Sequence, residues 1–265
     1  MVDLSFLKKL KIELEPVVKK AGEIIMDVYE RDHIVNEKSD GSPVTEADTK
    51  AEKLIVPAIK RICPDIPIIS EENSESHKLK VEGPFFLVDP LDGTKEFLKK
   101  DGKGAFTINI ALIKNEVPVF GMIHAPALKR SFSGIVGHGS VETNHARSNV
   151  ITISERKKLN VIAVASASHR DKETNKWLDL NKIERTMSIG SSLKFCLLAT
   201  GEADVYPRFA PTMEWDTAAG DAILRAAGGL VTNTAYTKEF KYGKKGFRND
   251  GFIAWGKYRP QREIA

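Results

Sequence analysis

At 265 residues with 42% hydrophobic content, the chain is long enough for two lobes around a sizeable core. Its 40 basic and 36 acidic residues leave a formal charge of only +4, a mixed surface that argues against a nucleic-acid polymer as partner. No apolar run is long enough to form a transmembrane segment, and residues 1–5 lack the basic-then-apolar character of a signal peptide, so a soluble cytoplasmic protein is expected. Cys63 and Cys196, both in apolar helical contexts, read as buried free thiols of a reducing compartment.

Leu4 to Tyr29 reads as a long helix interrupted near Pro16. Thr45-Glu46-Ala47-Asp48 opens a second helix, whose apolar stripe runs through Ala51, Leu54, Ile55, Ala58, Ile59 and Ile62. Thr45 with an acid three residues on has the form of a capping box, so Asp48 reads as a cap, as a functional carboxylate, or as both. Residues 66–70 form a short strand that leads into Glu71-Glu72. Adjacent acids at a strand end are a solvated turn or, beside a second acidic strand end, part of a dinuclear metal site.

That second strand end follows Phe85-Phe86-Leu87-Val88, a continuous apolar run as in a buried strand. Pro90 is expected to end ladder pairing there, so Asp89 and Asp92 face one cation across a tight turn and the Leu91 carbonyl supplies a third oxygen. Magnesium takes such hard oxygens, few of them from protein. Asp92-Gly93 is also a favoured hairpin pair, but residues 94–100 have the spacing of a helical turn rather than of a second alternating strand. Amides at the start of such a helix can hold a phosphate oxygen.

Residues 106–113 and 117–123 read as a hairpin, with 131–136 as a third antiparallel strand. Beyond residue 153 strands and helices alternate: 161–165, 172–180, 191–200, 204–206, then a helix near Asp216 that ends at Gly228-Gly229. The expected fold is an α+β N-terminal lobe with an antiparallel sheet, residues 1–153, and an α/β C-terminal lobe with a mixed sheet, residues 154–265. The site is expected between them. Gly190, Ser191 and Ser192 at a helix start offer amides and hydroxyls to an anion, and Lys194 and Arg208 supply charge for a second phosphate. His169, at a strand end, is a candidate for an adenine or ribose contact. The alternatives are a serine cap, solvated basic side chains and a structural histidine.

Four segments in order, Thr45-Glu46-Ala47-Asp48, Glu71-Glu72, Asp89-Pro90-Leu91-Asp92-Gly93-Thr94 and Trp215-Asp216-Thr217-Ala218-Ala219-Gly220, resemble the inositol monophosphatase superfamily of magnesium-dependent, lithium-sensitive phosphatases. The match spans nearly the whole chain and implies a layered αβαβα architecture. Lys95-Glu96-Phe97, the run from Ser188 to Arg208, and Ser168-His169 are similar to the 3′(2′),5′-bisphosphate nucleotidase branch. That branch removes the 3′-phosphate of adenosine 3′,5′-bisphosphate, leaves AMP, and serves sulfur assimilation. Phe209 stands where inositol monophosphatases carry a carboxylate for the inositol hydroxyls, which favours a nucleotide unless Phe209 is core.

The resemblance also implies roles. Glu71, Asp89 and the Leu91 carbonyl look like ligands of one magnesium ion, and Asp89, Asp92 and Asp216 of a second, about 4 Å away, with a third, weaker ion near Glu71. Thr94, oriented by Asp48, and Glu71 would position and deprotonate the attacking water. The Gly93 and Thr94 amides would bind phosphate, and His169, Ser191, Lys194, Arg208 and Asp216 the rest of a small nucleotide bisphosphate. The nearest rivals are inositol phosphates or fructose 1,6-bisphosphate as substrate, then a non-catalytic metal-binding role. A monomer and a homodimer are equally compatible with the sequence.

Overall fold

The computed structural model describes residues 2–31, 35–37, 43–144, 147–153, 160–166 and 171–258. Asp3 accepts the Phe6 amide at 2.9 Å and starts α1, Leu4–Tyr29, which runs unbroken past Pro16. The expected interruption is absent because Pro16 is exposed, so water can satisfy the carbonyl that its missing N–H leaves unpaired. The opposite stripe, including Leu10, Leu14, Val18 and Ile25, is held in the core. The short pair β1, Val35–Glu37, and β2, Pro43–Thr45, leads into α2, Glu46–Ile62, through a complete capping box of Thr45 and Asp48.

Next come β3 (Ile68–Ser70), β4 (Phe85–Asp92), α3 (Thr94–Lys99), β5 (Thr107–Lys114), β6 (Val117–Ala125), β7 (Arg130–Ile135), β8 (Gly139–Asn144) and β9 (Arg147–Ile151). Among the described residues β3 to β9 form one sheet in chain order, with β3 parallel to β4 and every other pairing antiparallel. The expected hairpin is β5–β6, turned by Asn115 and Glu116 at φ 53° and 63°, the two left-handed residues of a type I′ turn. Ladder pairing does not end at Pro90. Asp89 pairs with Asn109 and Asp92 with Thr107, so three steps on β4 oppose two on β5, and this bulge absorbs the proline that cannot donate to the ladder.

The remainder supplies β10 (Ile162–Ser166), α4 (Lys172–Leu180), β11 (Arg185–Ile189), α5 (Leu193–Ala199), β12 (Val205–Arg208), β13 (Thr212–Met213), α6 (Ala218–Ala226), β14 (Leu230–Asn233), β15 (Arg248–Asn249) and β16 (Phe252–Trp255). A second sheet runs β11-β10-β12-β16-β14, parallel around β10 and antiparallel around β16, and is mixed as expected. β13 and β15 form a separate short ribbon.

Alternation along each strand sends neighbours to opposite faces, and here both faces are buried. Phe86, Val88, Ile110 and Leu112 of the first sheet pack under α1 and α2. Phe85, Leu87, Ala111 and Ile113, on the other face, meet Phe195 and Leu198 of α5 and Ile223 and Leu224 of α6, which in turn reach Val231 and Phe252 of the second sheet. Trp177 and Leu178 of α4 cover its outer face against Val205 and Ile253. The αβαβα layering implied by the resemblance is therefore observed. No described helix is long and apolar enough to cross a membrane.

The middle layer sits close to its sheet. A Cβ on Gly121 of β6 would lie 2.3 Å from the Ala219 carbonyl oxygen and 2.8 Å from Ala222 Cβ of α6. Backbone cannot yield as a flexible side chain can, so Gly121→Ala is expected to cost about 3 kcal/mol in urea unfolding. An unaltered midpoint would contradict this contact.

Candidate active site

Glu71 leaves β3 with its N–H donating to the Val88 carbonyl at 3.0 Å, which sets it beside the bulged end of β4. Within that bulge Asp89, 1% exposed, accepts the Leu91 amide at 3.0 Å. Asp216 arrives from the other end of the chain, in the 3₁₀ turn Glu214–Asp216 just before α6, where it accepts the Met213 amide at 2.8 Å. Each of these three acids contributes a carboxylate oxygen to a group within 4.8 Å of one another. Asp92 adjoins them, accepting the Ser192 amide and, at 3.4 Å, Asn109 Nδ2.

The cap reading of Asp48 is observed, and it occupies one of the two carboxylate oxygens. Oδ2 accepts the Thr45 amide (2.8 Å) and hydroxyl (2.7 Å) as a cap, while Oδ1 lies 3.3 Å from the Thr94 hydroxyl. Thr94 Oγ1 is also 3.3 Å from the Leu91 carbonyl oxygen. The expected helix start is α3, and Gly93 before it has φ 89°, a left-handed conformation that glycine adopts without strain. A Cβ there would lie 2.9 Å from the Ala105 carbonyl oxygen.

A cleft of about 280 Å³ opens over this cluster, lined by Glu71, Asp92, Gly93 and Thr94 together with Ser191, Lys194, Arg208 and Asp216. Ser191, at φ 54°, holds a left-handed conformation rare for a side-chain-bearing residue, the kind of local strain that gathers at functional sites. Lys194 is not a solvated lysine: it is 4% exposed, donates to the Ser191 carbonyl at 2.6 Å and lies 5.2 Å over the Tyr206 ring. Arg208 is steadied by the Ala210 carbonyl at 3.2 Å. Ser192 makes no side-chain cap on α5; its hydroxyl bonds Asn109 Oδ1 at 2.7 Å and Thr107 Oγ1 at 2.8 Å instead. His169 lies outside the described residues. Phe209 packs against the α4 cluster and does not line the cleft, which supports its reading as core.

Sequence reasoning missed Asn109, Thr107 and Tyr206. The first two carried a signal, since polar residues in an apolar strand are expected either at an exposed face or, when buried as here, in a hydrogen-bonded network.

Burial is the largest influence on the protonation of Asp89, Asp92 and Asp216. It drives Asp89 well above the usual carboxylate range, and repulsion from Glu71, Asp92 and Asp216 adds to it. Asp216 is raised by burial and then by Asp92 and Glu71. Asp92 rises to about 6, burial again dominating over the opposing Lys194 charge and Ser192 N–H. Burial lowers Lys194 to about 8, partly offset by Asp92. Buried hard oxygens that repel one another are the donor set a divalent cation fits, because its charge removes the repulsion the fold leaves in place.

A family model described as the inositol monophosphatase family matches residues 7–259. The 3′(2′),5′-bisphosphate nucleotidase CysQ of Salmonella typhimurium is 41% identical over 239 residues, 89% of this chain and 95% of that protein. The protein of the same name from Buchnera aphidicola is 38% identical over 252 residues, covering 93% and 94%. The crystal structure of CysQ from Bacteroides thetaiotaomicron superposes with a TM-score of 0.80 at 37% identity, over 97% of this chain and 100% of that one. The chain belongs to the inositol monophosphatase family, whose members are metal-dependent phosphatases.

Each raised acid binds its proton more tightly folded than unfolded. For Asp92 the resulting stabilisation of the metal-free fold is complete below 3.8 and lost as pH rises through about 6. The melting temperature of metal-free protein is therefore expected to fall across this window. Added divalent cation, with Mg2+ as probe, should raise it more at about pH 7.5 than at about pH 5, where protons compete for the same oxygens. A cation-induced shift of equal size at both would contradict the assignment of these carboxylates to the cation.

Proposed function

We propose that the chain is a magnesium-dependent 3′(2′),5′-bisphosphate nucleotidase that hydrolyses the 3′-phosphate of adenosine 3′,5′-bisphosphate to AMP and phosphate. The observation that carries this reading is one cleft lined by Glu71, Asp92 and Asp216, by Thr94 of the Asp48–Thr94 pair, and by Ser191, Lys194 and Arg208. The activity for which the two relatives are named points the same way. Residues 1–153 would form the lobe carrying most of the cation's ligands and residues 154–265 the lobe carrying most substrate contacts.

Glu71, Asp89, the Leu91 carbonyl, Asp92 and Asp216 would hold two magnesium ions, with a third near Glu71. When bound, such ions polarise the phosphoryl group and make a coordinated water acidic enough to attack at neutral pH. The Thr94 hydroxyl directs its proton to Asp48 Oδ1 or the Leu91 carbonyl, so its lone pairs remain to accept a hydrogen bond from that water and orient it. Glu71, on the cleft wall, would accept the proton of the attacking water as general base. Because Gly93 has no side chain, phosphate oxygens can approach the Gly93 and Thr94 amides directly. Lys194 spends N–H groups on the Ser191 and Ile189 carbonyls and keeps one for a ligand, and Arg208 offers its guanidinium to the second phosphate. His169 remains the candidate contact for the adenosine.

Phosphate release with Mg2+ should favour adenosine 3′,5′-bisphosphate over inositol 1-phosphate and fructose 1,6-bisphosphate at equal concentration. Equal or reversed preference would return Ser191, Lys194 and Arg208 to structural roles and leave a broader sugar-phosphate phosphatase. Asp92→Asn is expected to lower turnover by about 100-fold or more while the protein stays folded. Near-parental activity in that variant would contradict the ligand set.

A further inference from the structure

Glu71 and Asp216 come from opposite ends of the chain, yet their carboxylate oxygens lie within 4.8 Å. Their mutual repulsion favours separation, so something outside the cluster must fix the spacing of the two segments. One imidazole contacts both. His77 Nε2 lies 2.8 Å from the carbonyl oxygen of Ser70, the residue before Glu71. A carbonyl only accepts, so Nε2 carries the proton and donates. The same ring stacks on Trp215, the residue before Asp216, with centroids 4.6 Å apart and planes 24° from parallel.

Each attachment point is itself rigid. Ser70 ends β3 opposite Val88 in the parallel ladder, and the Glu71 N–H continues that pairing. The turn that follows is closed by Ser76, whose hydroxyl donates to the Asn73 carbonyl at 2.6 Å and accepts the Ser70 amide at 3.1 Å, which delivers His77 back over Ser70. Trp215 is 4% exposed, in the same 3₁₀ turn whose cap fixes Asp216. Displacement of the ring would therefore be transmitted to both acids and not absorbed by loose loops. His77 does not line the cleft.

We propose that His77 is a positioning residue that sets the distance between the Glu71 and Asp216 segments and so tunes the affinity of the carboxylate cluster for its cation. The inference rests on the cation-site reading above and deepens it. Residues that orient metal ligands without touching the metal change affinity by about 10- to 100-fold when removed.

The test is a Mg2+ titration of the substrate-free protein followed by thermal shift, paired with Mg2+ activation of phosphate release from adenosine 3′,5′-bisphosphate. His77→Phe keeps a flat ring for Trp215 and loses the N–H donor; His77→Gln keeps a donor and loses the stack; His77→Ala loses both. The Mg2+ midpoint is expected to rise about 10-fold in His77→Ala and by smaller factors in the other two. KM for the nucleotide at saturating Mg2+ should stay within about twofold of the parent, since no substrate contact is removed. Should His77→Ala fail to fold, the closely sized Phe and Gln variants carry the same comparison. Unmoved Mg2+ midpoints, even with lowered melting temperatures, would overturn the proposal and assign His77 a purely structural role. A parent that binds Mg2+ but releases no phosphate from any substrate would overturn the nucleotidase reading alone, because the thermal titration still reads His77. A parent with no Mg2+ response would overturn both.

Discussion

The crowding of buried Asp89 with half-buried Glu71 and Asp216 is the constraint around which the rest of the molecule is arranged. Isolated buried carboxylates neutralise themselves by holding protons, and the raised affinities of Asp89 and Asp216 express that tendency. The fold keeps them together because each is fixed by backbone: Glu71 through the β3–β4 ladder, Asp89 within a bulge, Asp216 through the cap of its turn. Packing of α5 and α6 between the sheets contributes the hydrophobic stabilisation against which this local repulsion is set.

The two sheets divide the labour. The first holds Glu71, Asp89, Asp92 and Thr94 at the β3 and β4 ends, while Ser191 between β11 and α5, Lys194 on α5 and Arg208 on β12 come from the second half of the chain. The halves are joined at the site itself: the Ser192 amide meets Asp92, and the Ser192 hydroxyl meets Asn109 and Thr107 of β5. Ser191 therefore adjoins a residue whose backbone is bonded directly to Asp92.

Much of this was legible in the sequence because the acidic motifs are local. A carboxylate at the end of an apolar run, two acids three apart, and a Thr-x-x-Asp opening a helix each declare their position without knowledge of the partner strand. What was not legible depended on long-range placement. Pro16 breaks α1 only if its face is buried, and exposure is a tertiary property. Pro90 ends pairing only if the register cannot slip, and the bulge against β5 lets it slip. Burial of Lys194 was not legible because nothing local announces that α5 is buried on all sides, nor was the Ser192–Asn109 bond, whose partners lie far apart in sequence. Phe209 was ambiguous for the same reason: its packing against the cluster that includes Trp177 and Val205 is a tertiary property.

The most direct test of the account is anomalous scattering from a crystal grown with Mn2+ in place of Mg2+. A peak is expected within coordination distance of carboxylate oxygens from Glu71, Asp89 and Asp216, with the Leu91 carbonyl and Asp92 directed at the same site or its neighbour. An acidic cluster with no peak, in a crystal where manganese is bound elsewhere on the protein, would contradict it.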